Sequence, residues 1–250
     1  RFLRVPVITM YDYEFTETAI FNRFSKKVLV PDAIPDSVLD RINLPKGKRE
    51  KYPGIKEEIY LRSFQPDPKF WPSFIRAHGL HPHTETVIAV LRPPATTANY
   101  HNAQSDILFE AVLKHLLNAG NVLTVISPRT AEQKEQIGQT ISRNGLEKGN
   151  FVLLDHAVDG LNLISNADIL VSGGGTMNRE AVLLGVRVYS IFQGERGALD
   201  TAMERAGRII FLREPDDVVK IALSKRALHG PPPLDDRVEL SVRKQIDCFL

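Results

Sequence analysis

The chain has 250 residues, 43% hydrophobic and 25% charged, and its 32 basic and 30 acidic residues give a net charge of +2. That balance fits a globular protein of one or two domains with a real core, and it supplies no strong field for a nucleic-acid partner. No apolar run approaches the roughly 20 residues that span a bilayer. The opening residues do not read as a signal peptide, and the single cysteine, Cys248, rules out an internal disulfide framework and fits a reducing, cytoplasmic compartment.

In chain order, Val5–Met10 reads as a strand, Thr18–Phe24 as a helix and Lys27–Val30 as a second strand. A fold rarely opens on a core strand, so further sequence is expected upstream of Arg1. Residues 31–83 carry Pro31, Pro35, Pro45, Pro53, Pro66, Pro68, Pro72 and Pro82, and read as an interdomain connection with short helices. His78, His81 and His83 lie there with no orienting partner evident nearby. They read as solvated loop residues, and no metal is expected.

From Val87 the pattern changes to alternating strand and helix. Val87–Leu91, Val122–Ile126, Phe151–Leu154, Ile169–Ser172, Val186–Phe192 and Arg208–Leu212 are six strands of apolar residues. Between them, Ile107, Leu108, Ala111, Val112 and Leu116 have helical spacing. Thr130 through Gln133 is a capping box, Asp159 can cap a short helix, and Met177–Leu184 and Ala198–Ala206 are helices. Pro215 precedes a helix expected over Val218–Leu228, and Pro231-Pro232-Pro233 stops it. Val238, Leu240, Val242, Ile246 and Phe249 then mark one more amphipathic helix. Runs buried on both faces and joined by helices predict a parallel, Rossmann-like α/β sheet with right-handed crossovers.

The chemistry concentrates at the carboxyl ends of these strands. Ser172-Gly173-Gly174-Gly175-Thr176 reads as a strand, a glycine turn and a helix start, a geometry that presents backbone N–H groups and the positive end of a helix dipole to an anion. It is neither a phosphate loop with Gly-Lys-Ser/Thr nor a complete dinucleotide fingerprint, and Leu170 excludes a nucleophile elbow. Glu180 follows where a carboxylate can reach a sugar hydroxyl. Arg92-Pro93-Pro94 ends the first strand and can neutralise a diphosphate, with Thr96, Thr97, Asn99, Tyr100, His101 and Asn102 in the loop beyond. Ser127-Pro128-Arg129, Asp155-His156 and Gln193 through Gly197 end three further strands, and the glycines of the last would allow close approach of a ligand.

These features together resemble the C-terminal domain of GT-B proteins, the superfamily of nucleotide-sugar glycosyltransferases and UDP-N-acetylglucosamine 2-epimerases. The resemblance implies a GT-B-like α/β fold with a truncated N-terminal α/β domain. Its remnant is expected over 1–60, a connector over 61–83, the complete Rossmann-like domain over 84–230, and a C-terminal helix packing back toward the N-terminal part over 231–250. It also implies that Ser172-Gly173-Gly174 holds a diphosphate and Glu180 a ribose. Asn22-Arg23 resembles the epimerases' Asn-Arg pair, and Asp12 falls where they carry a catalytic Glu. Two features depart from the epimerases: Ala19 replaces a second catalytic carboxylate three residues before the pair, and Arg92-Pro93-Pro94 replaces their His-Arg-x-Glu-Asn loop. The segments Tyr52–Leu61, Arg92-Pro93-Pro94 and Ser172–Gly185 are similar to an uncharacterised GT-B-like family of archaeal and bacterial proteins.

The expectation is a nucleotide-sugar glycosyltransferase-like enzyme. Arg92, Ser172, Gly173, Gly174, Gly175, Thr176 and Glu180 bind the substrate, and Asp12 is the catalytic candidate. No cofactor is expected beyond the nucleotide-sugar substrate, and the acceptor and oligomeric state stay open. A 2-epimerase and a non-catalytic nucleotide-sugar-binding protein are the alternatives; a nicotinamide-dependent oxidoreductase ranks below them because its fingerprint is absent.

Overall fold

The computed structural model describes residues 5–95, 102–227 and 233–248. The first elements are β1 (Ile8–Met10), α1 (Ala19–Phe24), β2 (Lys27–Pro31), α2 (Asp36–Arg41), β3 (Arg49–Tyr52), α3 (Glu58–Leu61) and α4 (Phe70–Ala77). Strand and helix then alternate: β4 (Val87–Arg92), α5 (Ala103–Leu117), β5 (Val122–Ile126), α6 (Ala131–Arg143), β6 (Phe151–Leu153), α7 (Gly160–Ser165), β7 (Ile169–Ser172) and α8 (Gly175–Leu183). β8 (Arg187–Ser190), α9 (Ala198–Arg205), β9 (Ile209–Phe211), a 3-10 turn at Pro215–Lys220 and α10 (Arg237–Asp247) complete the order.

The chain divides into two compact units. The first comprises residues 1–64, 195–206 and 233–250. Its sheet is parallel, in the order β1-β2-β3. Central β2 is buried on both faces: Val28 and Val30 pack with Tyr11, Ile34, Leu39 and Leu44, while Leu29 packs with Tyr52 and Val238 of α10. The third strand was not anticipated. Arg49-Glu50-Lys51-Tyr52 is charged and sits among prolines, so it carries no strand pattern of its own. It forms because it pairs with β2 over Val28–Pro31, where Lys27 also pairs with Glu50 and Arg49 donates to the Leu44 carbonyl at 2.9 Å.

The second unit comprises residues 65–194 and 207–232. All six expected strands are present, every pairing is parallel, and the order is β6-β5-β4-β7-β8-β9. β4 is central because Val87–Leu91 is apolar at every position and fully packed, with α5 contributing Leu108, Val112, Leu113 and Leu116 to the core. The order reverses between β4 and β7. In such sheets the crevice outside that reversal is where ligands bind.

One expected helix is shorter than its pattern. Over Val218–Leu228 only the 3-10 turn Pro215–Lys220 forms, and Leu228 lies outside the described residues. A buried carboxylate draws the rest of the segment away. Asp168, 3% exposed, accepts from the Ile88 and Arg226 N–H groups at 2.8 and 3.0 Å and from the Lys225 ammonium at 2.8 Å. Arg226 in turn donates to the carbonyls of Leu184 and Ser165. The non-helical course at Lys225–Arg226 brings the Lys225 ammonium and the Arg226 N–H to the Asp168 carboxylate and the Arg226 guanidinium to two carbonyls.

Candidate functional site: a cleft at the carboxyl ends of the second sheet

Arg92 closes β4 and Ser172 closes β7, and the two are register partners. Beyond them opens a cleft of about 750 Å³, within the usual range for small-molecule sites. Its walls come from four consecutive strand ends: Arg92; Ser127 through Ala131 with Lys134; Leu154 through Val158; and Gly174 through Met177 with Glu180.

Each glycine of the turn has a distinct neighbour. A Cβ on Gly173 would lie 2.9 Å from Pro94 Cα, one on Gly174 3.0 Å from Arg129 Nη2, and one on Gly175 2.9 Å from Arg179 Nη1. The close approach that three glycines demand is therefore made in part by the protein itself, with one proline and two guanidiniums. Two of the amides are also committed internally. Gly173 N–H donates to the Arg92 carbonyl at 3.4 Å, and Gly174 N–H to Ser172 Oγ at 3.0 Å. Ser172 and Gly173 are buried behind the cleft wall, while Gly175 and Thr176 face solvent. α8 begins at Gly175 with no side-chain cap on its N-terminus, whereas α5, α6 and α7 are capped by Asn102, Thr130 and Asp159. The first-turn amides of α8, from Gly175 onward, are thus the ones an anion in the cleft can use.

The cationic side is braced. Arg92 donates to Ser127 Oγ at 2.9 Å, Arg129 Nε to the Pro93 carbonyl at 3.2 Å, and Gln133 Nε2 to the Pro94 carbonyl at 3.0 Å. The capping box at Thr130 is half formed. Thr130 Oγ accepts from Gln133 N–H at 3.2 Å, but the Gln133 carboxamide accepts from Arg129 N–H at 2.9 Å and so orients the loop. Burial lowers the Arg92 pKa, and the facing Glu180 carboxylate opposes that shift. Asp155 pairs with His156, and that hydrogen bond holds its carboxyl below the ordinary range.

The remaining sequence candidates lie elsewhere. Asp12 belongs to the first unit and is ion-paired to Lys56, which also holds the fully buried Glu57 at 2.8 Å. Asn22 is a packing residue in the same unit. Its amide donates to the Ile42 carbonyl at 2.8 Å and its oxygen accepts from Tyr11, whose pKa burial pushes up to about 12. Gly194 packs on the Phe192 ring and Gly197 on Tyr13 and Glu14, so those glycines accommodate protein. Glu14, unremarked in the sequence, is 3% exposed and accepts from Ala198 N–H at 2.7 Å. His78 Nδ1 bonds the Phe74 carbonyl, and among the described residues no group of three or more His, Cys, Asp or Glu side chains is placed to hold a metal ion. Thr96, Thr97, Asn99, Tyr100 and His101 lie outside the described residues.

In fold the chain is a GT-B-like α/β protein. Among solved structures, the chain is similar to the UDP-GlcNAc 2-epimerase from Neisseria meningitidis bound to UDP-GlcNAc, with a TM-score of 0.65 at 12% identity over 98% of this chain and 71% of that one. It is also similar to a glycosyltransferase from Rickettsia africae, with a TM-score of 0.52 at 15% identity over 97% and 69%. Residues 2–240 match the family described as "Protein of unknown function (DUF354)", and the chain belongs to that family. A relative, the uncharacterized protein MJ0665 of Methanocaldococcus jannaschii, is 23% identical over 95% of this chain and 67% of its own length. No helix among the described residues is long and apolar enough to cross a membrane.

Proposed function

We propose that the cleft binds a nucleotide-sugar and that the protein is a glycosyltransferase-like enzyme of the cytoplasm. The reading is carried by one observation: at the reversal point of the sheet, the uncapped N-terminus of α8 and the braced Arg92 line the same cleft as Glu180. In this reading the diphosphate lies on the amides of Gly175 and Thr176, with Ser172, Gly173 and Gly174 shaping the turn from behind. Arg92 neutralises the charge and Glu180 accepts from the ribose hydroxyls. Positive charge held in place where a diphosphate leaves stabilises the transition state of sugar transfer without reorganisation. The bound UDP-GlcNAc of the Neisseria epimerase supports a uracil nucleotide as the first ligand to try.

A 2-epimerase is the second reading, favoured by fold similarity to that same enzyme. It would assign Asp12 as acid or base, yet Asp12 is engaged by Lys56 and Ala19 carries no carboxylate. Calorimetry with UDP, GDP, their sugar conjugates and NAD tests the binding reading, and NAD binding in place of nucleotide-sugar binding would overturn it. Release of UDP with C2 configuration retained supports transfer. Solvent deuterium entering C2 supports epimerisation, and tight binding with neither product supports a non-catalytic binding protein.

A further inference from the structure

We infer that Arg129 is a ligand for the second phosphate of the bound nucleotide, and so sets the preference of the cleft for a nucleoside diphosphate over a monophosphate. The inference rests on the nucleotide-binding reading above and extends it to a residue that the sequence placed on the rim without a role.

Three observations carry it. The Arg129 guanidinium lies over Gly174, the residue just before α8, so closely that a Cβ there would meet Nη2 at 3.0 Å. Its Nε donates to the Pro93 carbonyl, and the Arg129 backbone that carries it is held by its N–H on Gln133 Oε1 of α6. It also lines the same cleft as Arg92 and Glu180.

The order along the cleft then decides which phosphate it meets. Arg92 is near enough to Glu180 for the carboxylate to act on its ionisation. Gly174 is six residues before Glu180, which at a rise of about 1.5 Å per residue is about 9 Å toward the helix start. With the ribose at Glu180, Arg92 meets the phosphate joined to the ribose, and Arg129 meets the next one, over the first-turn amides. A guanidinium anchored through Nε on a fixed backbone binds a phosphate oxygen with less loss of side-chain freedom than an untethered one.

The test is calorimetry of the protein and its R92A, R129A and R129K variants with UDP and with UMP. R129A should weaken UDP roughly 10- to 100-fold, the span of a charge-assisted hydrogen bond, while moving UMP little, so that the UDP/UMP preference collapses. R129K should restore part of it, and R92A should weaken both nucleotides. A preference unchanged in R129A, with R92A still damaging, overturns the role of Arg129 alone. Equal weakening of UDP and UMP in R129A would mark the side chain as a strut for the Pro93 loop and would also overturn it. Failure of the unaltered protein to bind either nucleotide overturns the nucleotide reading and this inference together.

Discussion

Adjacent glycines in the turn should respond differently to the same added methyl group. At Gly173 the new Cβ would lie 2.9 Å from the Pro94 Cα, a backbone atom whose loop is tied down by Gln133 on the Pro94 carbonyl and by Arg129 on the Pro93 carbonyl. The collision cannot be relieved by a rotamer change, so Gly173→Ala should cost about 1–3 kcal/mol, the range for overpacking a fixed site. At Gly174 the first contact is the tip of Arg129 at 3.0 Å and the next is Ser172 Oγ at 3.6 Å. The backbone there is extended, with φ −124°, so alanine is not strained. A weaker helix cap and a stiffer unfolded chain roughly offset each other, and Gly174→Ala should change stability by no more than about 0.5 kcal/mol. Its cost should appear in UDP affinity instead, because Arg129 must move. Urea denaturation at equilibrium, paired with calorimetry, reads both quantities. Equal loss of stability in the two variants, or a Gly173→Ala protein as stable as its parent, would refute this account of the turn.

Glu180→Ala should weaken UDP-GlcNAc by about 1–3 kcal/mol, and unchanged affinity in calorimetry would remove the ribose role. Asp168→Ala leaves the buried Ile88 N–H and the half-buried Arg226 N–H without their acceptor and takes the carboxylate from the Lys225 ammonium, so urea unfolding should show a loss of about 2–4 kcal/mol; a loss under 1 kcal/mol would contradict the clamp at Lys225–Arg226. Burial raises the Glu14 pKa above its ordinary 4.5, with the nearby Asp200 and Glu195 adding to the shift. The folded protein then holds that proton more tightly than the unfolded chain, so this contribution to stability is complete below about pH 4.5 and is lost as pH rises through the folded value. Glu14→Gln should flatten that fall in a pH series of melting temperatures, and an unchanged slope would contradict it.

The second sheet was legible because its strands are buried on both faces, which leaves long apolar runs such as Val87–Leu91 and Ile169–Val171 between clear helix caps at Thr130 and Asp159. The cleft followed from the strand ends, since Arg92 and Ser172 could be ordered along the chain before their pairing was seen. What escaped the sequence was set by partners distant in the chain. β3 exists through its pairing with β2, Lys225 and Arg226 depart from the expected helix because they bind Asp168, and Glu14 caps α9 from 184 residues away. The strand, glycine turn and helix start at Ser172–Thr176 were legible, while the internal partners of the turn's amides were not. Nothing in Ser172–Gly174 announces that the serine hydroxyl and the Arg92 carbonyl already take two of them.

Backbone amide NMR of isotope-labelled protein during titration with UDP addresses the cleft most directly. The account predicts that the amides of Gly175, Thr176 and Met177 shift furthest, in step with saturation, and that those of Gly173 and Gly174 move less. Saturable binding that leaves the start of α8 unmoved and shifts the first unit instead, or no binding at millimolar UDP, would contradict it.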